Sequence, residues 1–194
     1  MSWIQTYTGR QFFPIEPRPQ DIDIADIAHS LAMQCRFNGH CRLFYSVAEH
    51  CLRVSRAVSP AHALWGLLHD AAEAYVCDMP RPVKQHVPEF SRIEDRLLEV
   101  IVRRYGLGWP MPAEVRHFDD VLLVTECRDL MLPPPAPWGI RAEPLETRII
   151  PLPGPAEAER QFLERFSELV GRAEEPPEGG TTSKPPPAPA SGCD

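Results

Sequence analysis

The feature that most constrains this chain is an apolar segment at residues 61–76 that carries ionisable side chains in its middle. Alanine and leucine dominate the segment, and Pro60 precedes it, as is typical of the first turn of a helix. Such an apolar helix is expected in the centre of a domain, where an unpaired polar group costs about 2–7 kcal/mol. The sequence therefore predicts that His69, Asp70 and Glu73 are satisfied by a specific partner.

Residues three or four apart on a helix lie on the same side, which predicts that His69, Asp70 and Glu73 project together. A divalent cation fits this set, because imidazole nitrogens and carboxylate oxygens are ordinary ligands for Zn²⁺, Mn²⁺ and Co²⁺. The alternative interpretation is a hydrogen-bonded pair of His69 and Asp70 in the core. Two further polar residues favour the metal-binding interpretation over this alternative.

These further candidate ligands are His50, in the string YSVAEHC, and Asp119, in the string HFDDVLLVTE. Each is a polar residue inside an apolar helical pattern. Asp120 neighbours Asp119, so the pattern alone leaves open which of the two is the ligand.

Apolar residues recur at three and four positions from residue 22 to 131, which predicts an all-α fold. Asp23 and Ser46 are the predicted N-caps of the first two helices, and Glu49 follows Ser46 at the spacing of a capping box. The string TYTGRQFFPI allows a short hairpin at most. The predicted helices span 24–36, 47–58, 61–76, 91–105, 113–131 and 157–170, with a short turn at 81–85.

With 194 residues and 43% hydrophobic content, the chain is expected to form one domain, at residues 1–172. Within it we predict a core at 22–131, a proline-rich loop at 132–155 and a C-terminal helix at 156–171. Trp138, Ile140, Ile149 and Ile150 are the predicted anchors of the loop. Residues 173–194 contain six prolines and almost nothing apolar, which predicts a disordered tail.

The net charge of −7 argues against a nucleic-acid partner, because nucleic-acid-binding proteins usually carry a basic face. The N-terminus lacks a secretory signal pattern and no stretch has the length of a membrane span, which predicts a cytoplasmic protein without a membrane partner. The six cysteines include no CxxC pair and are expected to be reduced thiols. Assembly into a homo-oligomer is compatible with the sequence.

The order His50, His69-Asp70, Asp119 resembles the H…HD…D signature of the HD-domain phosphohydrolases. The string HDAAEAYVCDMPRPVK is similar to the segment HDxxEx₄DxPxPxK of small 5′-deoxynucleotidases and bacteriophage dATP triphosphohydrolases. The resemblance covers residues 24–131 and implies an HD-domain helical bundle with a metal site between helices. It implies that His50, His69, Asp70 and Asp119 are the ligands. Asp119 is preferred to Asp120 because it lies seven residues before Glu126, as in the family pattern.

The resemblance also implies catalytic or substrate-orienting roles for Glu73 and Asp78. A metal-activated water is the expected nucleophile, and Glu73 is its candidate proton acceptor or, alternatively, a partner that orients His69. Asp78 is expected to contact the sugar or a phosphate-bound water, or else to cap a helix end. Arg36 and Lys84 match basic positions that contact substrate in relatives.

Phe37 and Asn38 are candidates for holding a base, with simple core packing as the alternative for Phe37. The sequence pattern assigns no role to Arg18, Arg53 or Arg81. Structural or solvent-exposed roles are expected for His29, His62, His86 and His117.

The function that the resemblance implies is hydrolysis of a deoxynucleotide with a divalent metal cofactor, Zn²⁺, Co²⁺, Mn²⁺ or Mg²⁺. The leading interpretation is a dATP triphosphohydrolase that releases deoxyadenosine and triphosphate, with removal of dATP from a phage nucleotide pool as a further hypothesis. A 5′-deoxynucleotidase acting on dNMPs uses the same ligands and stays open. A metal-stabilised binding module without activity is the alternative of another class, and the presence of both Glu73 and Asp78 speaks against it.

Overall fold

A computed structural model describes residues 2–174, and these residues form a mostly helical fold. The predicted all-α class is confirmed, and the opening string forms the expected short hairpin. The predicted tail lies outside the described residues from position 175 onward. The elements are β1 (Ile4–Gln5), β2 (Gln11–Phe12), α1 (Ile24–Met33), α2 (Val47–Ala57), α3 (Ala63–Leu68), α4 (Glu73–Val76), α5 (Arg81–Lys84), α6 (Pro88–Arg104), α7 (Ala113–Leu130) and α8 (Pro155–Glu174).

Helix α2 is the central element of the fold. It packs against α1, α3, α7 and α8, and most of its side chains are buried. The buried residues of α2 include Glu49, His50 and Ser55, and each of these polar side chains needs a partner, since only satisfied polar groups are tolerated there. Any polar side chain that α2 holds in its middle is therefore surrounded by other helices.

Helices α2 and α3 approach each other closely at Gly66. A Cβ atom at position 66 would lie 2.9 Å from the Cα atom of Ser55 on α2. Ser55 stabilises the same contact, because its hydroxyl donates to the carbonyl of Ala63 over 2.8 Å. Glycine is required here by the proximity of the two backbones, and the contact places the residues that follow α3 beside the middle of α2.

The predicted N-caps are confirmed at both helices. The Asp23 carboxylate accepts a hydrogen bond from the backbone N–H of Ala25, and the Ser46 hydroxyl accepts one from the N–H of Glu49. The Glu49 carboxylate has a different role from the one that a capping box gives it. It accepts hydrogen bonds from Arg53 and from the backbone N–H of Leu152, and so fastens the proline-rich segment to α2.

The predicted continuous helix at 61–76 is wrong. A 3₁₀ turn at Pro60–His62 leads into α3, which ends at Leu68, and residues 69–72 form tight turns before α4 begins. The cause is at Gly66, whose carbonyl would accept the N–H of Asp70 in a regular helix. It accepts a hydrogen bond from the His69 ring instead, over 2.8 Å. The backbone then continues through i→i+3 bonds such as Glu73 N–H to the Asp70 carbonyl.

Other helix boundaries differ from the prediction by a few residues. Helix α1 ends at Met33, three residues early, because Gln34 is extended and Cys35 pairs with Ser46 in a β-bridge. Helix α6 starts at Pro88, three residues before its predicted start, because proline is well tolerated in a first helical turn.

The proline-rich segment between α7 and α8 contains no helix and is held by backbone N–H groups. Leu145 donates to the Thr125 hydroxyl and Ile149 donates to the Asp129 carboxylate, each over 2.9 Å. Ile149 is buried as predicted. The predicted anchoring by Trp138 and Ile150 is wrong, since these side chains are 42% and 79% exposed. Polar side chains of α7 and α2 supply the attachment that the sequence analysis assigned to apolar ones.

No helix among residues 2–174 is both long and apolar enough to cross a lipid bilayer.

We expect the substitution Gly66→Ala to lower the free energy of unfolding by about 1–3 kcal/mol, because the added methyl group must displace the α2 backbone. Gly171→Ala is the matched control, since Gly171 lies in α8 with open space around its Cα. The control variant should be as stable as the parent or slightly more so. Urea unfolding followed by circular dichroism measures both. Equal stability of the two variants would contradict the close contact.

Candidate metal centre

The four predicted ligands come together at one point between three elements. His50 comes from the middle of α2, His69 and Asp70 from the turn after α3, and Asp119 from α7. The Nε2 atom of His50 lies 3.2 Å from Nε2 of His69 and 3.2 Å from Oδ1 of Asp119. Oδ2 of Asp70 lies 3.3 Å from Nε2 of His69. Both imidazoles are buried, so bulk water does not separate these atoms.

The second nitrogen of each imidazole fixes which atoms face the cluster. Nδ1 of His69 is 2.8 Å from the Gly66 carbonyl, and Nδ1 of His50 is 2.6 Å from the Glu126 carboxylate. Both partners only accept hydrogen bonds, so in the neutral form of each ring the proton lies on Nδ1. The two Nε2 atoms then present lone pairs to each other and to two carboxylates.

Two buried imidazoles and two half-buried carboxylates that converge as electron-pair donors are stabilised by a positive charge among them. Burial by itself lowers the pKa of His69, but Asp70 and Cys51, through their charge and their hydrogen bonds to the ring, together raise the pKa well above its ordinary value. The site therefore attracts a cation, and two imidazoles with two carboxylates form a suitable set for Zn²⁺, Mn²⁺ or Co²⁺. The donors fit the predicted divalent metal, whose identity the set leaves open.

The two neighbouring aspartates of α7 have different surroundings. Asp119 lies against His50, as described above. Asp120 is 41% exposed at its side chain, and its Oδ1 atom lies 3.1 Å from Arg81. Among the two, Asp119 is the residue that the structure places with the histidines.

Glu126 is the main member of the site that the sequence analysis did not assign a role. Its carboxylate is fully buried and accepts hydrogen bonds from His50, from the Tyr45 hydroxyl over 2.9 Å and from Nε of Arg36 over 3.1 Å. Burial alone raises the pKa of Glu126, but Arg36 and His50 outweigh it and keep the pKa below its ordinary value. A signal was present, because a spacing of seven places Asp119 and Glu126 on one face of α7.

Cys51 is a second residue that the sequence analysis passed over. Its sulfur, an atom of His69 and an oxygen of Asp70 lie within 4.8 Å of one another. Burial raises the pKa of the Cys51 thiol to about 11. Because the thiolate is the form that binds metals, this shift favours the carboxylates over Cys51 as ligands.

Glu73 and Asp78, the predicted catalytic residues, are both positioned by Gln34. The Gln34 amide donates to the Glu73 carbonyl and accepts from the Asp78 N–H, each over 3.1 Å. The Glu73 side chain is buried, and its Oε2 atom has no hydrogen-bond partner among the described residues. Burial, with Asp70 and Asp78 nearby, raises the pKa of Glu73 well above its ordinary value.

The predicted substrate-binding cations lie at different depths. Arg36 is buried, and its Nη1 atom is 3.6 Å from Oδ2 of Asp70, so it borders the cluster directly. The Lys84 ammonium is paired with Glu94 over 2.7 Å. Arg81, which had no assigned role, lies 3.7 Å from Oδ2 of Asp119. The structure thus brings Arg36 and Arg81 to the ligands and pairs Lys84 with a carboxylate of α6.

Phe37 and Asn38 have unusual backbone conformations, with φ of 55° and 51°. Positive φ costs a non-glycine residue about 1–3 kcal/mol and is found mainly where function requires it. Phe37 is half-buried and lies outside the hydrophobic core, so the alternative of core packing is wrong. Four other histidines conform to their predicted structural or exposed roles, with His29 paired to Glu159, His62 paired to Glu114, and His86 and His117 exposed.

Comparison with known proteins gives one relative that spans nearly the same length. The uncharacterized protein YfdR of Escherichia coli is 41% identical over 173 residues, which are 87% of this chain and 96% of the relative. The chain belongs to the YfdR family. An uncharacterized protein of Rhodobacter capsulatus is 37% identical over 126 residues, or 60% of this chain and 64% of that protein. No protein-family model matches the chain. The names of these two relatives state no activity.

We expect Asp119→Asn to weaken divalent metal binding by about 100-fold, because a neutral amide replaces a charged ligand beside the buried His50 ring. Asp120→Asn is the matched control and should bind metal like the parent protein. Both can be measured by titration with Co²⁺, whose visible absorption reports coordination by the protein. If only the Asp120 variant lost metal binding, Asp120 rather than Asp119 would be the ligand.

We expect Glu126→Gln to reduce metal affinity about 10- to 100-fold, because the amide is a weaker acceptor for the His50 ring proton than the carboxylate. Glu114→Gln is the matched control, since Glu114 also lies on α7 and also pairs with a histidine, His62. Competition with a chromophoric chelator gives the affinity of each variant. Similar metal affinities of the two variants would mean that Glu126 has no influence on His50 as a ligand.

Proposed function

We propose that this protein is a divalent-metal-dependent phosphohydrolase of the HD type that acts on a deoxynucleotide. The observation that carries the proposal is the convergence of four electron-pair donors, two buried imidazoles and two half-buried carboxylates, together with a buried Oε2 atom of Glu73 that has no hydrogen-bond partner among the described residues. A merely structural metal needs the donors but not the additional acid. The proposal therefore concerns an enzyme rather than a binding module.

His50, His69, Asp70 and Asp119 are the proposed holders of the metal. When bound there, a divalent cation supplies positive charge that polarises a phosphoryl oxygen and makes a water molecule more acidic. The protein's contribution is to keep both imidazoles in the tautomer with a free Nε2, through the Gly66 carbonyl and the Glu126 carboxylate. This arrangement is the usual way in which partners of ligands fix their orientation.

Glu73 is the proposed proton acceptor for the attacking water. A buried carboxyl group with a raised pKa is suited to exchange protons near neutral pH, as general bases do. A buried oxygen without a hydrogen bond also costs about 1–3 kcal/mol, which a substrate or water could recover. Gln34 holds the backbone of both Glu73 and Asp78 and so fixes their distance from the cluster.

Arg36 is the proposed ligand of the substrate phosphate. Its Nε atom is oriented by Glu126, while Nη1 is directed toward Asp70 at the edge of the cluster. A guanidinium group with one edge fixed presents the other to a phosphate in a defined direction. Arg81 and Lys84 add positive charge on the neighbouring α5, so an anionic substrate meets local cations although the whole chain carries a net charge of −7.

The deoxynucleotide part of the proposal rests on the resemblance of the string HDAAEAYVCDMPRPVK to the deoxynucleotide hydrolases. Within that class we propose hydrolysis of dATP to deoxyadenosine and triphosphate. Hydrolysis of dNMPs to deoxynucleoside and phosphate requires the same residues and is the second outcome of the test.

We expect metal-loaded protein to release deoxyadenosine and triphosphate from dATP, and a chelator to abolish the activity. Anion-exchange chromatography after incubation with each dNTP and dNMP identifies the products. Phosphate released from dNMPs alone would assign the nucleotidase. No product with Mn²⁺, Co²⁺, Zn²⁺ or Mg²⁺ would contradict the proposed enzyme.

The Glu73→Gln variant should bind metal like the parent but lose at least about 100-fold in kcat, since general-base catalysis typically contributes this much. Glu99→Gln, on the outer surface of α6 and paired with Arg103, is the control and should retain full activity. Full activity of the Glu73 variant would remove Glu73 from the mechanism without affecting the metal site.

A further inference from the structure

Trp138 is a large aromatic residue that the fold leaves partly open to solvent. Its side chain is 42% exposed, on the proline-rich segment between α7 and α8. The centre of its ring lies 5.9 Å from the centre of the Phe37 ring, with 52° between the two planes. The two rings come from segments that are about 100 positions apart in the chain, so only the tertiary fold brings them together.

Both segments are fastened to the C-terminal end of α7. The backbone N–H of Arg42 donates to the Leu130 carbonyl over 2.8 Å, which holds the segment that carries Phe37. Arg128 donates to the carbonyl of Leu145, and Ile149 donates to Asp129, which hold the segment that carries Trp138. The aromatic pair therefore has a defined position on the protein.

The pair is connected to the metal ligands by a short series of contacts. Nη1 of Arg36 lies 3.6 Å from the Asp70 carboxylate, and Cζ of Arg36 lies 5.4 Å from the centre of the Phe37 ring. The centre of the Phe37 ring in turn lies 5.9 Å from the centre of the Trp138 ring. The series of neighbours thus leads from a carboxylate to a guanidinium group, to a half-buried ring and to a partly exposed ring.

This order matches the parts of a nucleotide. The phosphate is the group that requires the metal ligands and Arg36, and the base is the flat apolar group at the other end. Bases bind to aromatic side chains by stacking, with little dependence on which base is present. The positive φ of Phe37 adds a second indication, because it keeps the ring beside Arg36 in a backbone conformation that is unfavourable by itself.

We propose that Trp138, together with Phe37, forms the surface on which the heteroaromatic base of the substrate stacks. The inference rests on the proposed function and extends it, because it assigns base recognition to the proline-rich segment outside the helical core. It also implies that recognition by stacking is tolerant of the identity of the base, so any preference for adenine must come from other contacts.

The test measures binding of two fragments, 2′-deoxyadenosine, which lacks phosphate, and 2-deoxyribose 5-phosphate, which lacks the base. The variants are Trp138→Leu, Trp138→Phe and the control Trp3→Leu, since Trp3 is 50% exposed and lies at the N-terminal end. Isothermal titration calorimetry on the metal-loaded full chain gives the dissociation constants. Circular dichroism and the melting temperature verify that each variant is folded.

We expect Trp138→Leu to bind deoxyadenosine about tenfold more weakly, the lower end of what base stacking contributes, and Trp138→Phe to retain most of the affinity. Binding of 2-deoxyribose 5-phosphate should be equal in all variants, and Trp3→Leu should match the parent with both fragments. Equal affinity of the parent and Trp138→Leu for deoxyadenosine, or no binding by the parent, would overturn the proposal.

The outcome is separable from that of the proposed function. If no nucleotide is hydrolysed but deoxyadenosine binding depends on Trp138, the base-stacking surface stands and the phosphohydrolase does not. If nucleotides are hydrolysed with a KM that is unchanged in Trp138→Leu, the phosphohydrolase stands and the base-stacking surface is rejected.

Discussion

The structure depends on two imidazole nitrogens that face each other with their lone pairs at 3.2 Å. Such an arrangement is repulsive unless a positive charge lies beside it, and it exists only because α2 and α3 approach closely at Gly66. The same glycine supplies the carbonyl that orients His69. Packing of the core and orientation of the ligand are thus consequences of one backbone contact, with Ser55 of α2 on its other side.

Helix α7 carries both a proposed metal ligand and the residue that supports another one. Asp119 faces the cluster and Glu126 lies two turns further along the same face, where it gathers His50, Tyr45 and Arg36 into one buried network. Buried polar networks stabilise a structure only when their members are satisfied, because the low dielectric strengthens each bond and penalises each missing one. The exception among the described residues of the site is the Glu73 carboxyl, and this is the group that the proposed chemistry uses.

The proline-rich segment extends the site beyond the helices. Backbone N–H groups attach it to polar side chains of α7 and α2, and this mode of attachment leaves Trp138 free of the core. The segment and the strained turn at Phe37 come together where the rings of Trp138 and Phe37 lie side by side. Proteins commonly hold a catalytic centre on helices and a recognition surface on the connecting segments, because rigid elements position the reacting groups while loops determine specificity.

The sequence by itself determined the helical class, the caps at Asp23 and Ser46, and the residue types of the metal cluster, because helical periodicity and capping depend on neighbours in the chain. It did not determine the break of the helix at His69, since that break follows from a ring nitrogen taking the carbonyl of Gly66. The pairing of Glu126 and the exposure of Trp138 were likewise decided by the tertiary structure. Each depends on a partner from a distant segment, and no local pattern specifies which side chain arrives there.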